Sequence, residues 1–239
     1  MCKDEKCAVI LAGGKGTRLR PYTIAMPKPL VPVGDYPIME IIIRQLVKYG
    51  FKRIIITVNH QAELIQSYFG DGKKWGIHIE YSLETKPLGT MGPLRQIKDL
   101  PEHFLVMNGD ILTDLNFAKF FEEHVKSGYI FTISSYGRKH KVDYGILHTD
   151  EKNTLCGFEE KPELDYIVSM GIYAASGEIV GYIPPDSYYG FDHLMKQMID
   201  MKKEVAVRRF YGYWLDIGRP KDYQKASECF EEEMERFLL

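Results

Sequence analysis

A short apolar run, Cys7 to Ala12, ends in Gly13, Gly14 and Gly16, and two cations follow at Arg18 and Lys28. A strand that stops in glycines lets backbone N–H groups approach an anion closely, because no Cβ blocks the way and glycine tolerates positive φ. Arg18 can fork onto phosphate oxygens. Lys28 stands in the stiff frame "MPKPLVP", where prolines hold a compact point charge beside developing negative charge. Phosphate binding with charge neutralisation is the chemistry these residues suit. The stretch "LAGGKGTRLRPYTIAMPKPLVPVG" contains no G-x-x-x-x-G-K-[ST] and lacks the third glycine of a dinucleotide fingerprint, so a Walker ATPase and a dinucleotide-dependent dehydrogenase are poor fits. From the residues alone, the competing account is a structural turn.

The elements that must position this loop follow from hydrophobic period. The first half alternates short β-branched runs with helical segments, the pattern of βαβ units around a mainly parallel sheet. "CAVILA", "RIIITVN", "IHIEYSL" and "HFLVMNGD" read as strands; "PIMEIIIRQLVKYG", "QAELIQSYFG" and "MGPLRQIKDL" read as helices, the first stopped by Gly50. Asn116 is placed to cap the helix "FAKFFEEHVKSG". From Tyr129 strands follow in quick succession, with "DEKN" as a turn between two of them, so this portion is mixed or antiparallel. "RKHK" at Arg138 to Lys141 reads as a solvated loop. A helix "FDHLMKQMIDMKK", a strand "EVAVRRF" and the aromatic "YGYWLDIG" precede a last helix from Pro220. That helix carries Tyr223, Ala226, Phe230, Met234 and Phe237 on one stripe, expected to face the core or a second subunit, with "EEEMER" as a solvated face.

At 239 residues with 45% apolar content the chain has enough material for a sizeable core. Its 31 basic and 33 acidic residues leave a net charge of -2, so no global attraction to nucleic acid or anionic membrane is implied and any anion site must be local. The four cysteines, Cys2, Cys7, Cys156 and Cys229, form no C-x-x-C pair, which argues against a disulfide scaffold or structural zinc. The N-terminus lacks the long apolar region of a signal peptide, and a reduced, cytoplasmic protein is the expectation.

The whole opening stretch resembles the signature of the sugar-1-phosphate nucleotidylyltransferases, G-G-x-G-T-R-L-x-P-x-T-x-x-x-P-K-P-x-x-P. The resemblance continues through "EYSLETKPLGTMGPL", "VMNGDILTD", "YGILHTDEKNTLCGFEEKP", "GIYAASGEIV" and "YWLDIGRPKDY". It implies an α/β fold, a Rossmann-like three-layer sandwich with a mixed, mainly parallel sheet and a small antiparallel sugar-binding subregion. It further implies one catalytic domain over 1–239, with 1–127 mainly nucleotide-binding and 128–239 mainly sugar-phosphate-binding. The chain ends soon after its last helix and reads as the catalytic domain alone.

The implied reaction joins a nucleoside triphosphate to a sugar 1-phosphate and releases pyrophosphate. Such chemistry needs charge neutralisation more than a base, because the attacking phosphate is already ionised. By the resemblance Arg18, Lys28, Asp110 and Asp216 are catalytic, Arg18 on the departing pyrophosphate and Lys28 at the reacting phosphates. Leu11, Ala12, Gly13, Gly14, Gly16, Thr17, Glu84, Gly89, Thr90, Asn108 and Gly109 would hold the nucleotide. Asp110 and Asp216 match ligands of Mg²⁺, which takes a few carboxylates plus phosphates and water; Asp114 reads as a turn residue or a support for them. Tyr144, Gly145, Glu160, Lys161 and Ser169 would hold the sugar phosphate.

Substrate choice rests on fewer residues. Glu84 matches a position near the base edge, and a carboxylate only accepts, which suits the donors of guanine or cytosine better than thymine or uracil. With "PLGTMG" and "YWLDIGRPKDY" this favours the mannose-1-phosphate guanylyltransferase branch, so GTP with mannose 1-phosphate or a related sugar phosphate. The alternatives are a thymidylyl-, uridylyl- or cytidylyltransferase acting on glucose 1-phosphate, a cytidylyltransferase acting on a non-sugar phosphate, and an inactive regulatory homologue. Val168-Ser169-Met170 stands where the family often has asparagine before "GIY", which opens the choice of acceptor. No nucleic acid or membrane partner is expected, and the final apolar stripe permits a homodimer.

Overall fold

The computed structural model describes residues 5–59 and 61–238. Cys2 lies outside these residues. The chain runs β1 (Cys7–Leu11), β2 (Pro32–Val33), β3 (Tyr36–Pro37), α1 (Ile38–Lys48), β4 (Arg53–Val58), α2 (Ala62–Phe69), β5 (His78–Leu83), β6 (His103–Asn108), β7 (Ile111–Thr113) and α3 (Phe117–Ser127). It continues through β8 (Phe131–Lys141), β9 (Ile146–Thr149), β10 (Leu155–Glu159), β11 (Glu163–Ser176), α4 (Phe191–Asp200), β12 (Val205–Phe210), β13 (Trp214–Asp216), α5 (Pro220–Glu232) and α6 (Met234–Leu238).

A seven-stranded sheet in the order β12-β8-β11-β6-β1-β4-β5 forms the middle layer. β6, β1, β4 and β5 are parallel neighbours, while β11 runs antiparallel to both β6 and β8. Alternation along β1 divides the core: Ala8 and Ile10 face the side covered by Met39, Ile42 and Leu46 of α1, whereas Cys7 and Val9 face Leu94, Phe104 and Leu194. Burial pushes the Cys7 thiol up to about 12, so this cysteine is a packing group. Helix ends follow local chemistry: Asn116 Oδ1 accepts the Lys119 N–H at 2.9 Å at the start of α3, and Gly128 at φ 71° closes it.

The sheet changes direction of connection beside β1. β1 leads through α1 to β4 on one side, and β6 pairs with β1 on the other, so a crevice opens at the carboxyl ends of these strands. The glycine-rich loop after β1 and the Gly109-Asp110 turn after β6 both emerge there.

Three sequence expectations change. The helix expected over "MGPLRQIKDL" is only a 3-10 stretch, Gly92–Gln96. Met91 and Gly92 donate their N–H groups to the Tyr189 carbonyl, each at 2.9 Å, which draws the backbone outward instead of into a helical ladder. "RKHK" is not a loop but the far end of β8, paired residue for residue with Glu163–Tyr166; Lys139 faces Glu163 and Asp165 at 3.6 and 3.7 Å. The last helix breaks at Glu233, where φ -128° leaves the helical region. Ala226, Phe230 and Phe237 therefore pack with Val33, Leu112 and Ile217, while Met234 turns outward. The stripe is core.

Candidate active site

After β1 the backbone stays tied to the sheet at Ala12, whose N–H donates to Thr57 O at 3.0 Å, and then opens at Gly13 and Gly14. A Cβ at Gly13 would lie 2.4 Å from Glu84 Oε1, so glycine is required for the carboxylate to rest against the loop. Gly16 adopts φ 62° and turns the chain into the 3-10 segment Thr17–Leu19, locked by Thr23 Oγ1 donating to Gly16 O at 2.7 Å. Arg18 projects from that segment into the cleft, and the packed Leu19 anchors it from behind.

Lys28 begins a second 3-10 segment, Lys28–Leu30, flanked by Pro27 and Pro29. Its ammonium pairs with Asp110 Oδ2, and both side chains are largely shielded from water. The other carboxylate oxygen, Asp110 Oδ1, is buried without a hydrogen-bond partner. Such an atom costs free energy unless something electropositive meets it.

Asp216 is brought to Asp110 by the β7–β13 ribbon, in which Asp216 pairs with Ile111 and the Ile217 N–H donates to Asp110 O at 2.9 Å. Burial first and the neighbouring Asp110 second push the Asp216 carboxyl above its ordinary range; Lys28 and Arg18 pull it back. Asp114 fastens the same ribbon: Oδ1 accepts from Tyr213 N and Oδ2 from Arg236 Nε, each at 2.7 Å. It supports the site without entering it.

The cleft, of about 520 Å³, is lined by Leu11, Gly13, Gly14, Arg18, Glu84, Gly89, Thr90, Asn108 and Asp110 among the expected residues. Burial raises the Glu84 carboxyl, partly offset by the Leu88 N–H, which it accepts at 3.3 Å. Gly89 has φ 79° and lies so close to Tyr189 O that a Cβ would sit at 2.8 Å. Thr90 Oγ1 accepts the Phe191 N–H at 2.8 Å. Ala12, Gly16, Thr17 and Gly109 act behind the lining as backbone; Gly109 N–H donates to Leu11 O at 3.1 Å.

Lys15, Thr57, Asn59, Leu88 and Tyr188 line the cleft and escaped the sequence reading. Lys15 carried a signal, a third cation inside "GGKG". Thr57, next to last in β4, has a buried hydroxyl that lacks a partner. Tyr188 arrives from a remote segment and carried no local signal.

The expected sugar-phosphate residues lie apart from this lining. Tyr144, Gly145, Glu160 and Lys161 are exposed around the β9–β10 hairpin, with Tyr144 at 80% exposure. Gly145 abuts the Phe158 ring, where a Cβ would sit at 2.6 Å, and Glu160 Oε2 is next to it at 3.2 Å. Lys161 turns the chain at φ 44°, beside Glu160 at 3.7 Å. Ser169 is half-buried on β11, its hydroxyl donating to Tyr173 Oη at 3.0 Å.

Taking phosphates at the carboxyl ends of parallel strands, on loop N–H groups and fixed cations, is the habit of nucleotide-handling α/β proteins. The nucleotidyl transferase family matches residues 7–233, and the chain belongs to that family. It is 34% identical over 92% of its length to a UTP–glucose-1-phosphate uridylyltransferase of Synechocystis, covering 62% of that protein. It is 33% identical over 90% of its length to the catalytic subunit beta of mannose-1-phosphate guanylyltransferase of Drosophila melanogaster, covering 60% of it. The chain thus spans about three fifths of these relatives. A D-glycero-alpha-D-manno-heptose 1-phosphate guanylyltransferase of Aneurinibacillus thermoaerophilus is 31% identical, with 92% of this chain and 96% of that protein covered. Among solved structures, HddC from Yersinia pseudotuberculosis superposes with a TM-score of 0.72 at 28% identity, over 94% of this chain and 99% of that one. No helix of the described residues is long and apolar enough to cross a membrane.

Proposed function

We propose that this chain transfers a nucleotidyl group from a nucleoside triphosphate, GTP by preference, to the phosphate of a sugar 1-phosphate. A phosphate oxygen of the acceptor forms a bond to the α-phosphorus, the bond from that phosphorus to the bridging oxygen breaks, and pyrophosphate carries the electron pair away. No side chain has to remove a proton. The observation that carries this reading is the unpartnered, buried Oδ1 of Asp110, a carboxylate that pairs with Lys28 through its other oxygen, neighbours Asp216 and lines the same cleft as the glycine-opened loop.

The residues suit that reaction in separate ways. Gly13 and Gly14 leave backbone donors open to phosphate oxygens, and Arg18 and Lys15 suit the departing pyrophosphate. Lys28 suits the developing charge at the reacting phosphorus, because Pro27 and Pro29 fix it in advance. Asp110 and Asp216 fit a magnesium ion: hard oxygen donors, one of them unsatisfied, with the remaining coordination left to phosphates and water. The ion, when bound, supplies further neutralisation of the phosphates. Tyr144, Gly145, Glu160, Lys161 and Ser169 are assigned to the acceptor.

Guanine is favoured by Glu84, a shielded acceptor against the loop, and by relatives that are themselves guanylyltransferases. The test is pyrophosphate release from GTP, UTP, dTTP and CTP, each with mannose 1-phosphate and glucose 1-phosphate. GTP should lead in kcat/KM by tenfold or more. A lead by UTP or dTTP overturns the guanine assignment, and silence across all pairs overturns the enzyme.

A further inference from the structure

Residues 184–189, from the far half of the chain, are tied to the loop that follows Glu84. The Tyr189 N–H donates to Leu88 O at 2.8 Å, and Tyr189 O in turn accepts the N–H groups of Met91 and Gly92. Lys86 reaches across to Asp186 at 2.8 Å, and a Cβ on Gly92 would lie 3.0 Å from Ser187 O. Between these ties stands Tyr188, the one aromatic among the described residues that line the cleft. Tyr189 is buried at 8% exposure, yet Tyr188 keeps 64% of its surface in solvent. Its ring meets only the edge of His193, with centroids 6.0 Å apart and planes at 84°. A rigid aromatic is thus carried on fixed backbone with its surface left uncovered.

The ties also say which end of the cleft it serves. Leu88 donates its N–H to Glu84 Oε2 at 3.3 Å, and the next bond, from Tyr189 to Leu88, brings Tyr188 to the same side. Glu84 is the carboxylate assigned to the base edge. Arg18, Gly13 and Gly14, which suit the phosphates, come from the loop after β1. The residues assigned to the acceptor lie outside this lining, so the partner that reaches Tyr188 is the base.

Resting on the nucleotidyl-transfer reading, we propose that Tyr188 stacks on the base of the bound nucleotide. Stacking uses the face of the ring and is blind to its edge. Glu84 and Tyr188 therefore divide recognition: the carboxylate selects the edge, and the phenol favours a purine, whose larger face covers more of it. Because the backbone is fixed before the nucleotide arrives, little ordering has to accompany the contact.

The test is calorimetric titration of the full chain at fixed magnesium, comparing the parent with Tyr188→Phe and Tyr188→Ala. Tyr188→Ala should raise the Kd for GTP about tenfold, within the range of one stacked base, and that for UTP by less. Tyr188→Phe keeps the aromatic face and should stay within about twofold of the parent. Inorganic tripolyphosphate, which has no base, should bind all three proteins alike. In steady state Tyr188→Ala should raise KM for GTP at nearly constant kcat, and its thermal melt should match the parent's because the side chain is exposed. An unchanged Kd for GTP overturns the stacking. So does an equal loss for GTP and tripolyphosphate, which would place the effect in the loop, and so does a rise in the acceptor KM alone. A larger loss for UTP than for GTP overturns the purine preference. In all four cases turnover by the parent leaves the proposed function standing; a parent that binds no nucleoside triphosphate and turns over no pair overturns both.

Discussion

At Asp110 one carboxylate oxygen and the backbone carbonyl are held by distant parts of the chain in a shielded setting, whereas on the β9–β10 hairpin the side chains stand in solvent. Lys28 pairs with Asp110 and Ile217 N–H holds the Asp110 carbonyl. Tyr144, Leu147, Leu155 and Phe158 on and beside the hairpin are all more than half exposed. The difference fits the two tasks proposed for these regions. Groups that stabilise a transition state gain most when fixed before the substrate arrives, since no reorganisation is then needed. Groups that hold an acceptor can be ordered by the acceptor itself, at some entropic cost.

Substitutions should fall on opposite sides of that division. The largest effect is expected for Lys28→Ala, which should lower kcat by about 10²–10³-fold, by analogy with the loss of one fixed electrostatic donor. Steady-state rates and a thermal melt check it: a fall of less than fivefold would break the contrast, as would loss of the folded transition. Asp110→Asn should lower kcat by a similar factor and raise the magnesium concentration needed for half-maximal rate.

A smaller effect tests the base end. Glu84→Gln exchanges an acceptor-only group for one that also donates, so the preference for GTP over UTP should fall by about tenfold, within the range of one good bidentate contact. Rates with both nucleotides read this directly. An unchanged ratio removes Glu84 from base selection.

The pH response of the folded protein sharpens the picture of the buried pair. The Asp216 carboxyl is raised in the folded state, so the stability it contributes is full below the ordinary carboxylate pKa and is lost as pH rises through the folded value. Without metal, Asp216→Asn should therefore gain on the parent in melting temperature between about pH 3 and 7. A difference that stays flat with pH would mean the carboxyl is not perturbed. The smallest effect is expected on the hairpin: Tyr144→Ala should change stability by less than about 0.5 kcal/mol, as exposed substitutions usually do. Acceptor KM should rise several-fold at nearly constant kcat.

Much of the fold could be read in advance because its signals are local. The runs at Cys7–Leu11 and Arg53–Val58 are too short and too β-branched for helices, and Asn116 announces its own helix through a cap that reaches only to Lys119. Failures came where a distant group decided. Tyr189 O captured Met91 and Gly92, and the strand at Arg138–Lys141 owes its shape to Glu163–Tyr166 across the ladder. The break at Glu233 shifted Met234 off a stripe that a continuous helix would have kept.

The site divides along the same line. The opening glycines, Arg18 and the proline-framed Lys28 lie within one short stretch of sequence, and their backbone requirements are met within one loop, so residue type and spacing alone pointed to phosphate, the ligand proposed for this loop. That Asp216 stands beside Asp110 and that Thr57 and Tyr188 join the cleft were decided only by tertiary structure. Those groups lie far apart along the chain. Only the sheet order and the β7–β13 pairing bring them together, because packing rather than local backbone preference sets distances between remote segments.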